Sequence, residues 1–155
     1  MSPQELIDEL RAKNSPTAKD LERLEAMATE YPECAELWSC FGDMIQLSDG
    51  EYPVGQSLDC YRRSIEADPL FAEGYESIGY FLDVYNDDFA GAAEHFRRAI
   101  QLGAGDDSWI GLARVLAKMG QANEGLELLK SCQEPVSPGV AKVRKEIADG
   151  DWDPV

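Results

Sequence analysis

The sequence lacks any apolar run long enough to cross a membrane. Hydrophobic residues make up 44% of its 155 residues, but they occur in short groups and no run approaches the ~18 residues that a spanning helix needs. The opening stretch, Met1 to Glu5, has neither the basic start nor the apolar segment of a signal peptide. We therefore expect no membrane span, and a cytoplasmic protein of one domain.

Residues that commonly hold metals or form disulfides are also scarce. His95 is the single histidine, and Cys34, Cys40, Cys60 and Cys132 form no C-x-x-C pair. A closed zinc site needs four nitrogen or sulfur ligands, and disulfide frameworks belong to oxidising compartments. The pattern predicts reduced cysteines that act as small apolar side chains, with no metal and no cofactor.

Catalytic motifs are missing as well. The sequence contains no glycine-rich phosphate loop, no G-x-S-x-G turn and no H-E-x-x-H pair. The many carboxylates could serve as catalytic acids or bases, but no sequence feature indicates a pocket that would hold them. We expect a protein that is not an enzyme.

Basic residues are few for the size of the chain. Fourteen Lys and Arg face 30 Asp and Glu, so the formal net charge is −16. Nucleic acids and anionic membranes are bound through Lys and Arg, so neither is expected as a partner. Two interpretations of the acidity remain: it keeps the protein soluble and monomeric, or it attracts a basic partner.

What the sequence does contain is a helical pattern, seen best at residues 71–102. Tyr75, Ile78, Gly79 and Leu82 have the i, i+3, i+4, i+7 spacing of one helix face. A second face follows from Phe89 to Ile100, and the polar run from Asn86 to Asp88 separates the two. The segment predicts two antiparallel helices, and one such hairpin must stack on neighbours to cover its apolar faces.

Copies of this hairpin lie on both sides of it. Trp38, Phe41, Gly42 and Ile45 repeat the first-helix spacing upstream, and Trp109, Leu112, Ala113 and Leu116 repeat it downstream. The aromatic anchors Trp38, Tyr75 and Trp109 are 37 and 34 residues apart.

With this spacing the chain resembles the tetratricopeptide repeat (TPR) family, whose pattern is W-x-x-L-G-x-x-Y, then A-x-x-x-F, then P, at a period of about 34. The resemblance implies an all-α, right-handed α-solenoid of antiparallel helix hairpins, with three repeats at 35–69, 70–105 and 106–134. It also implies that the three anchors are equivalent and buried, and that Gly42, Gly79 and Ala113 let helices approach closely.

The two ends are expected to cap the array within a single domain, 1–155. Start signals at Ser2-Pro3 and Ser15-Pro16 predict a degenerate helix pair over 1–34. Gln133 to Val136 form a short linker. Ser137-Pro138 starts a capping helix in 135–149 that turns Val140, Val143 and Ile147 inward over Leu126 and Leu129. Residues 150–155 should be loose unless Trp152 docks.

The resemblance further implies a concave groove lined by the first helix of each repeat. Its partner-binding positions would be Glu36, Ser39, Asp43, Glu73, Glu76, Tyr80, Asp83, Arg114 and Lys118. Such a groove would be acidic over two repeats and mixed in the third, so a protein or peptide with basic segments is the expected partner. The alternative is that these residues form ordinary solvated helix faces.

One family ligand is not expected. Co-chaperones of the family hold an acidic C-terminal tail with lysine, asparagine and arginine, but the matching positions here are Ser39, Asp43, Ser77, Asp107 and Gly111. Asp43 and Asp107 would repel that carboxylate, so the sequence predicts no binding of an acidic chaperone tail.

These observations favour a non-catalytic adaptor or scaffold, a monomer or a weak dimer, that holds a segment of another protein. A small dedicated chaperone of the secretion-system type has similar size and layout and remains an alternative. An accessory subunit of an enzyme, or a minor enzyme using clustered acids, is a third.

Overall fold

The computed structural model describes residues 1–132 and 136–155. Within those residues the secondary structure is entirely helical, with no strand. The helices are α1 (Pro3–Arg11), α2 (Ala18–Glu30), α3 (Ala35–Leu47), α4 (Gly55–Ala67), α5 (Ala72–Asn86), α6 (Phe89–Gln101), α7 (Asp106–Lys118), α8 (Ala122–Leu129) and α9 (Pro138–Ala148).

The chain divides into two compact units, Met1–Gly74 (unit 1) and Tyr75–Val155 (unit 2), and the division falls within α5. In unit 1, α3 packs against α4, and α1 and α2 pack on α3. In unit 2, α7 packs against α6 and α8, and α9 lies on both α7 and α8. Each unit has its own apolar core.

Side-chain caps fix where several helices begin. Ser2 and Glu5 form a reciprocal capping box at α1, and the Ser137 hydroxyl accepts from the Val140 amide at α9, as the sequence predicts. The predicted start at Ser15-Pro16 was wrong by two residues. Thr17 is the N-cap of α2, because its side chain and that of Asp20 complete a second capping box.

Helices α3 to α8 lie, in pairs, within the predicted repeats 35–69, 70–105 and 106–134. Between α5 and α6, Asp87 takes a positive φ of 50° and Asp88 caps α6 by accepting from the Gly91 amide, which confirms the polar turn. The last repeat helix, α8, ends at Leu129. The first three residues of the predicted linker, 133–135, lie outside the described residues.

Close contact within each hairpin depends on a small residue. A methyl group added at Gly42 would lie 2.5 Å from the Tyr61 ring, and one at Gly79 would lie 2.8 Å from the Phe96 ring. Tyr61 and Phe96 are 1% and 0% exposed. The glycines therefore let the second-helix aromatic sit directly on the first-helix backbone, as the sequence predicts for these positions.

The third hairpin reverses this arrangement. Ala113 stands where the other repeats have glycine, and the small residue lies on the second helix, where a methyl group at Gly125 would come within 2.9 Å of the Ala113 carbonyl oxygen. Leu129 takes the buried place of the second-helix aromatic and is fully buried.

The three anchors are not equivalent, which corrects the sequence interpretation. Trp38 is 6% exposed and its indole N–H donates to the Pro32 carbonyl at 2.9 Å. Tyr75 and Trp109 are only partly buried, and the Arg98 guanidinium lies 5.8 Å from the centre of the Tyr75 ring. The second-helix side chains fill the hairpin interior and leave these two anchors at its edge.

The four cysteines are thiols and form no disulfide. Burial raises the pKa of Cys40 and of Cys60 to about 12, so both are protonated at neutral pH and are poor nucleophiles. Among the described residues, no helix has the length and apolar character needed to traverse a bilayer.

Candidate protein-binding faces

The predicted partner-binding residues fall into two sets, one in each unit. Unit 1 contains Glu36, Ser39, Asp43 and Glu73, and unit 2 contains Glu76, Tyr80, Asp83, Arg114 and Lys118. The two sets have different chemistry, because the first is acidic and the second contains both acids and cations, with Asp83 paired to Lys118.

In unit 1, two of the acids converge on a guanidinium of the same chain. Arg11, the last residue of α1, donates to Glu36 at 2.6 Å and to Glu73 at 2.9 Å. All three side chains are between 35% and 43% exposed. Glu36, Asp43 and Glu73 are called the acidic face below, and Arg11 partly neutralises it.

Asp43 lies deeper than the other two acids. Its Oδ1 accepts from the Tyr61 hydroxyl at 2.7 Å, and the Gln46 amide donates to that same hydroxyl oxygen at 2.7 Å. Burial raises the pKa of Asp43 to about 6, with a further contribution from the Glu73 charge, while the hydrogen bond from Tyr61 opposes the rise. The acidic face therefore loses negative charge as the pH falls below about 6.

Replacing Asp43 by asparagine is expected to stabilise the protein at pH 7. The folded-state pKa lies above the unfolded value of 3.8, so the charged carboxylate costs stability above pH 6 and this cost disappears as the pH falls towards 4. Asp43→Asn removes the charge and can still accept from Tyr61. We expect urea denaturation to show a gain of about 1 to 3 kcal/mol at pH 7, and none at pH 4.

The exposed Asp59 of α4 supplies the matched control, since Asp59→Asn should leave the free energy of unfolding within about 0.5 kcal/mol of the unmodified value. An Asp43→Asn protein less stable than the unmodified chain at pH 7 would contradict the assignment.

Ser39 does not lie on a surface. It is completely buried, and its hydroxyl oxygen has no hydrogen-bond partner within the part of the chain that the structure describes. A partner resting on α3 would not reach this side chain without moving the helix.

In unit 2, Glu76 and Tyr80 are tied to the beginning of α7. The Ser108 hydroxyl donates to Glu76, and the Tyr80 hydroxyl donates to the Asp107 carbonyl. Burial raises the pKa of Tyr80 above its ordinary value, so the phenol stays neutral. Tyr80 also meets the Phe96 ring edge-on, with centroids 4.8 Å apart.

Asp83 is paired within the fold. It is 5% exposed, and the Lys118 ammonium donates to it at 2.6 Å. Because the pair is largely desolvated, an incoming cation would have to break it. Asp83 therefore positions Lys118 and leaves little charge for a partner.

Arg114 and Lys118 hold Trp152, a residue that follows α9. The Arg114 and Lys118 cations lie 5.2 and 5.1 Å from the indole centroid, and the indole N–H donates to Glu146 at 2.8 Å. That hydrogen bond holds the pKa of Glu146 below its usual value. Glu146 also lies 3.5 Å from Arg114, so the four side chains form one cluster.

Three residues of these faces were missed by the sequence interpretation of the groove: Arg11, Glu146 and Trp152. Arg11 lies in the segment assigned to capping, and nothing in the sequence marks its approach to Glu73, 62 residues away. A tryptophan in the predicted tail, next to a capping helix, was the available signal for docking. The sequence predicts that residues 150–155 are loose unless Trp152 docks, and in the structure Trp152 does dock.

The solved structures that resemble the chain include YrrB and MamA. YrrB, a TPR protein with an unusual peptide-binding site, matches with a TM-score of 0.64 and 19% sequence identity over 84% of this chain and 61% of YrrB. MamA protein matches with a TM-score of 0.62 and 16% identity over 84% of this chain and 66% of MamA. The chain thus spans less than two thirds of either protein. No family model and no curated protein sequence matches it.

The hairpins, their small-residue contacts and these two likenesses agree on the fold. In the residues that the structure describes, the chain has an all-α, TPR-like fold of helical repeats.

Proposed function

We propose that the protein is a non-catalytic interaction module and that its acidic face binds a basic segment of another protein. The observation that supports this most directly is the pair of carboxylates, Glu36 and Glu73, that hold one guanidinium. A partner's arginine presents the same planar fork of donors that Arg11 presents, so it can take the same place.

Arg11 is suited to being displaced. The side chains of Arg11, Glu36 and Glu73 are each more than one third exposed. Exposed ion pairs contribute only about 0 to 1 kcal/mol to stability. A partner with several basic residues would gain electrostatic attraction from a chain of net charge −16, while losing little by releasing Arg11.

The fold is consistent with this role. YrrB, which shares the fold, has a peptide-binding site. Burial keeps Cys40 and Cys60 protonated, so neither thiol is available as a nucleophile. We propose an adaptor of this kind, acting in the cytoplasm, whose partner is a protein and not a nucleic acid or a membrane.

Charge substitutions on the acidic face test the proposal. The probe is a fluorescent peptide of alternating arginine and glycine, titrated at low ionic strength and read by anisotropy. Glu73→Lys should weaken binding by about tenfold or more, because it replaces an attractive carboxylate by a repelling cation. Arg11→Ala should tighten binding several-fold, because it frees both carboxylates.

Glu33→Lys is the control, since Glu33 is exposed in the same unit and carries the same charge but lies outside the acidic face. Equal weakening by Glu33→Lys and Glu73→Lys would mean that only net charge matters. That result, or binding unaffected by Glu73→Lys, would reject the acidic face as the site.

A further inference from the structure

The segment 150–154 folds back onto α7 and is called the strap. Gly150 takes a φ of 79°, a conformation that favours glycine, and hydrogen bonds from Asp151 to the Glu146 carbonyl and from Asp153 to the Gly150 carbonyl hold the turn. Beyond it, Pro154 reaches Gly120, where an added methyl group would lie 3.8 Å from its ring. The strap therefore runs beside the second half of α7.

Trp152 is the central contact of the strap. It packs against the apolar cluster of unit 2, which includes Ile110, Ala113 and Ala117 of α7. Two cations and one carboxylate complete its surroundings: Arg114 and Lys118 face the ring, and Glu146 accepts from its N–H. These surroundings are called the α7 site below. They match three features of an indole: its apolar surface, its π face and its N–H donor.

The strap leaves part of the α7 site unsatisfied. The Nε–H of Arg114 is buried and finds no hydrogen-bond acceptor among the described residues. A buried donor without an acceptor disfavours the arrangement that contains it. A carboxylate beside a bound tryptophan could satisfy this donor, while Asp151 and Asp153 of the strap make no such contact with it in the structure.

We propose that the α7 site binds a tryptophan flanked by carboxylates in a partner protein, and that the strap is an intramolecular competitor for the same place. The strap has a tryptophan between two carboxylates, Asp151-Trp152-Asp153. Because the strap is covalently linked to α9, its effective concentration at the site is high. Binding by a partner is weakened by the fraction of molecules in which the strap is docked.

This inference rests on the proposed function, because it concerns a second binding face of the same interaction module. It differs in the ligand that it requires, since the acidic face of unit 1 attracts cations and the α7 site takes an aromatic residue with acids. The two tests therefore use different probes, and failure of the α7 site is distinguishable from failure of the acidic face.

The probe for the test is a capped peptide spanning residues 149–155. We expect Trp152→Ala to bind it about tenfold or more tightly than the unmodified chain, because the competitor is gone. Adding Lys118→Glu to Trp152→Ala should abolish this binding, and a peptide with phenylalanine for tryptophan should bind weakly because it lacks the N–H that Glu146 accepts. Calorimetry gives each affinity.

Equal affinity of the unmodified chain and Trp152→Ala, or no binding by a folded Trp152→Ala chain, would overturn the proposal. A second measurement covers loss of folding in the variant. In the unmodified chain labelled with 5-fluorotryptophan, unlabelled peptide should displace the strap. The fluorine resonance of Trp152 should then move towards the position of a solvent-exposed 5-fluorotryptophan. A resonance that stays in place at millimolar peptide would equally reject the strap as a competitor.

Discussion

Phe96→Ala is expected to destabilise the protein by about 3 to 5 kcal/mol. Phe96 is fully buried, and its ring lies against the backbone of two helices at Gly79 and Gly111. Glycine has no side chain that could move into the cavity left by the ring, so the site cannot collapse easily. Tyr80 would also lose the edge-on contact it makes with Phe96.

Urea denaturation followed by circular dichroism measures this loss. Val84→Ala is the control, because Val84 lies on α5 and is 64% exposed, and it should change the free energy of unfolding by less than about 0.5 kcal/mol. A loss below about 1 kcal/mol for Phe96→Ala would show that the second-helix aromatic does not hold the hairpin together.

Asp20→Ala is expected to cost about 2 to 4 kcal/mol, because this buried carboxylate has several charged or backbone donors. Asp20 is 3% exposed. The Lys13 ammonium donates to both of its oxygens at 2.8 and 2.9 Å, and the Thr17 amide and hydroxyl donate at 2.8 and 3.0 Å. Alanine removes the capping box of α2 together with the link from α2 to Lys13.

The same contacts predict how acid affects the protein. The hydrogen bonds from Lys13 and Thr17 lower the pKa of Asp20 from 3.8 to about 2. The carboxylate therefore contributes its full stabilisation, about 2 kcal/mol, above pH 4, and this contribution is lost as the pH falls from 3.8 through 2. In Asp20→Ala this part of the acid transition should be absent.

Asp8→Ala is the matched control for Asp20→Ala, since Asp8 is an exposed acid on α1 whose side chain accepts from the Gln4 amide at the surface. Thermal unfolding of both variants at pH 7 and pH 3 makes the comparison. A stability loss in Asp20→Ala no larger than that in Asp8→Ala would contradict the structural role given to the buried carboxylate.

The helices could be read from the sequence because their causes are local. Apolar spacing identified each repeat helix, and capping side chains marked the starts of α1 and α9. At α2 the start predicted from Ser15-Pro16 was wrong by two residues, because Thr17 and Asp20, three positions later, complete the capping box.

Burial was less predictable than helix position. The repeat pattern treats Trp38, Tyr75 and Trp109 alike, yet only Trp38 is buried. Which aromatic fills a hairpin depends on the side chains that face it from the other helix, beyond the turn. Pattern alone could not rank them.

The candidate binding faces depended still more on distant contacts. The sequence predicts acidic helix positions, but Arg11 meets Glu73 across 62 residues and Lys118 meets Asp83 across 35. The sequence by itself determined the repeat architecture, because helix periodicity and small-residue spacing act within one hairpin. Only the tertiary structure decided which charges are paired and that Trp152 covers α7, because electrostatic pairing and docking depend on distances that packing sets.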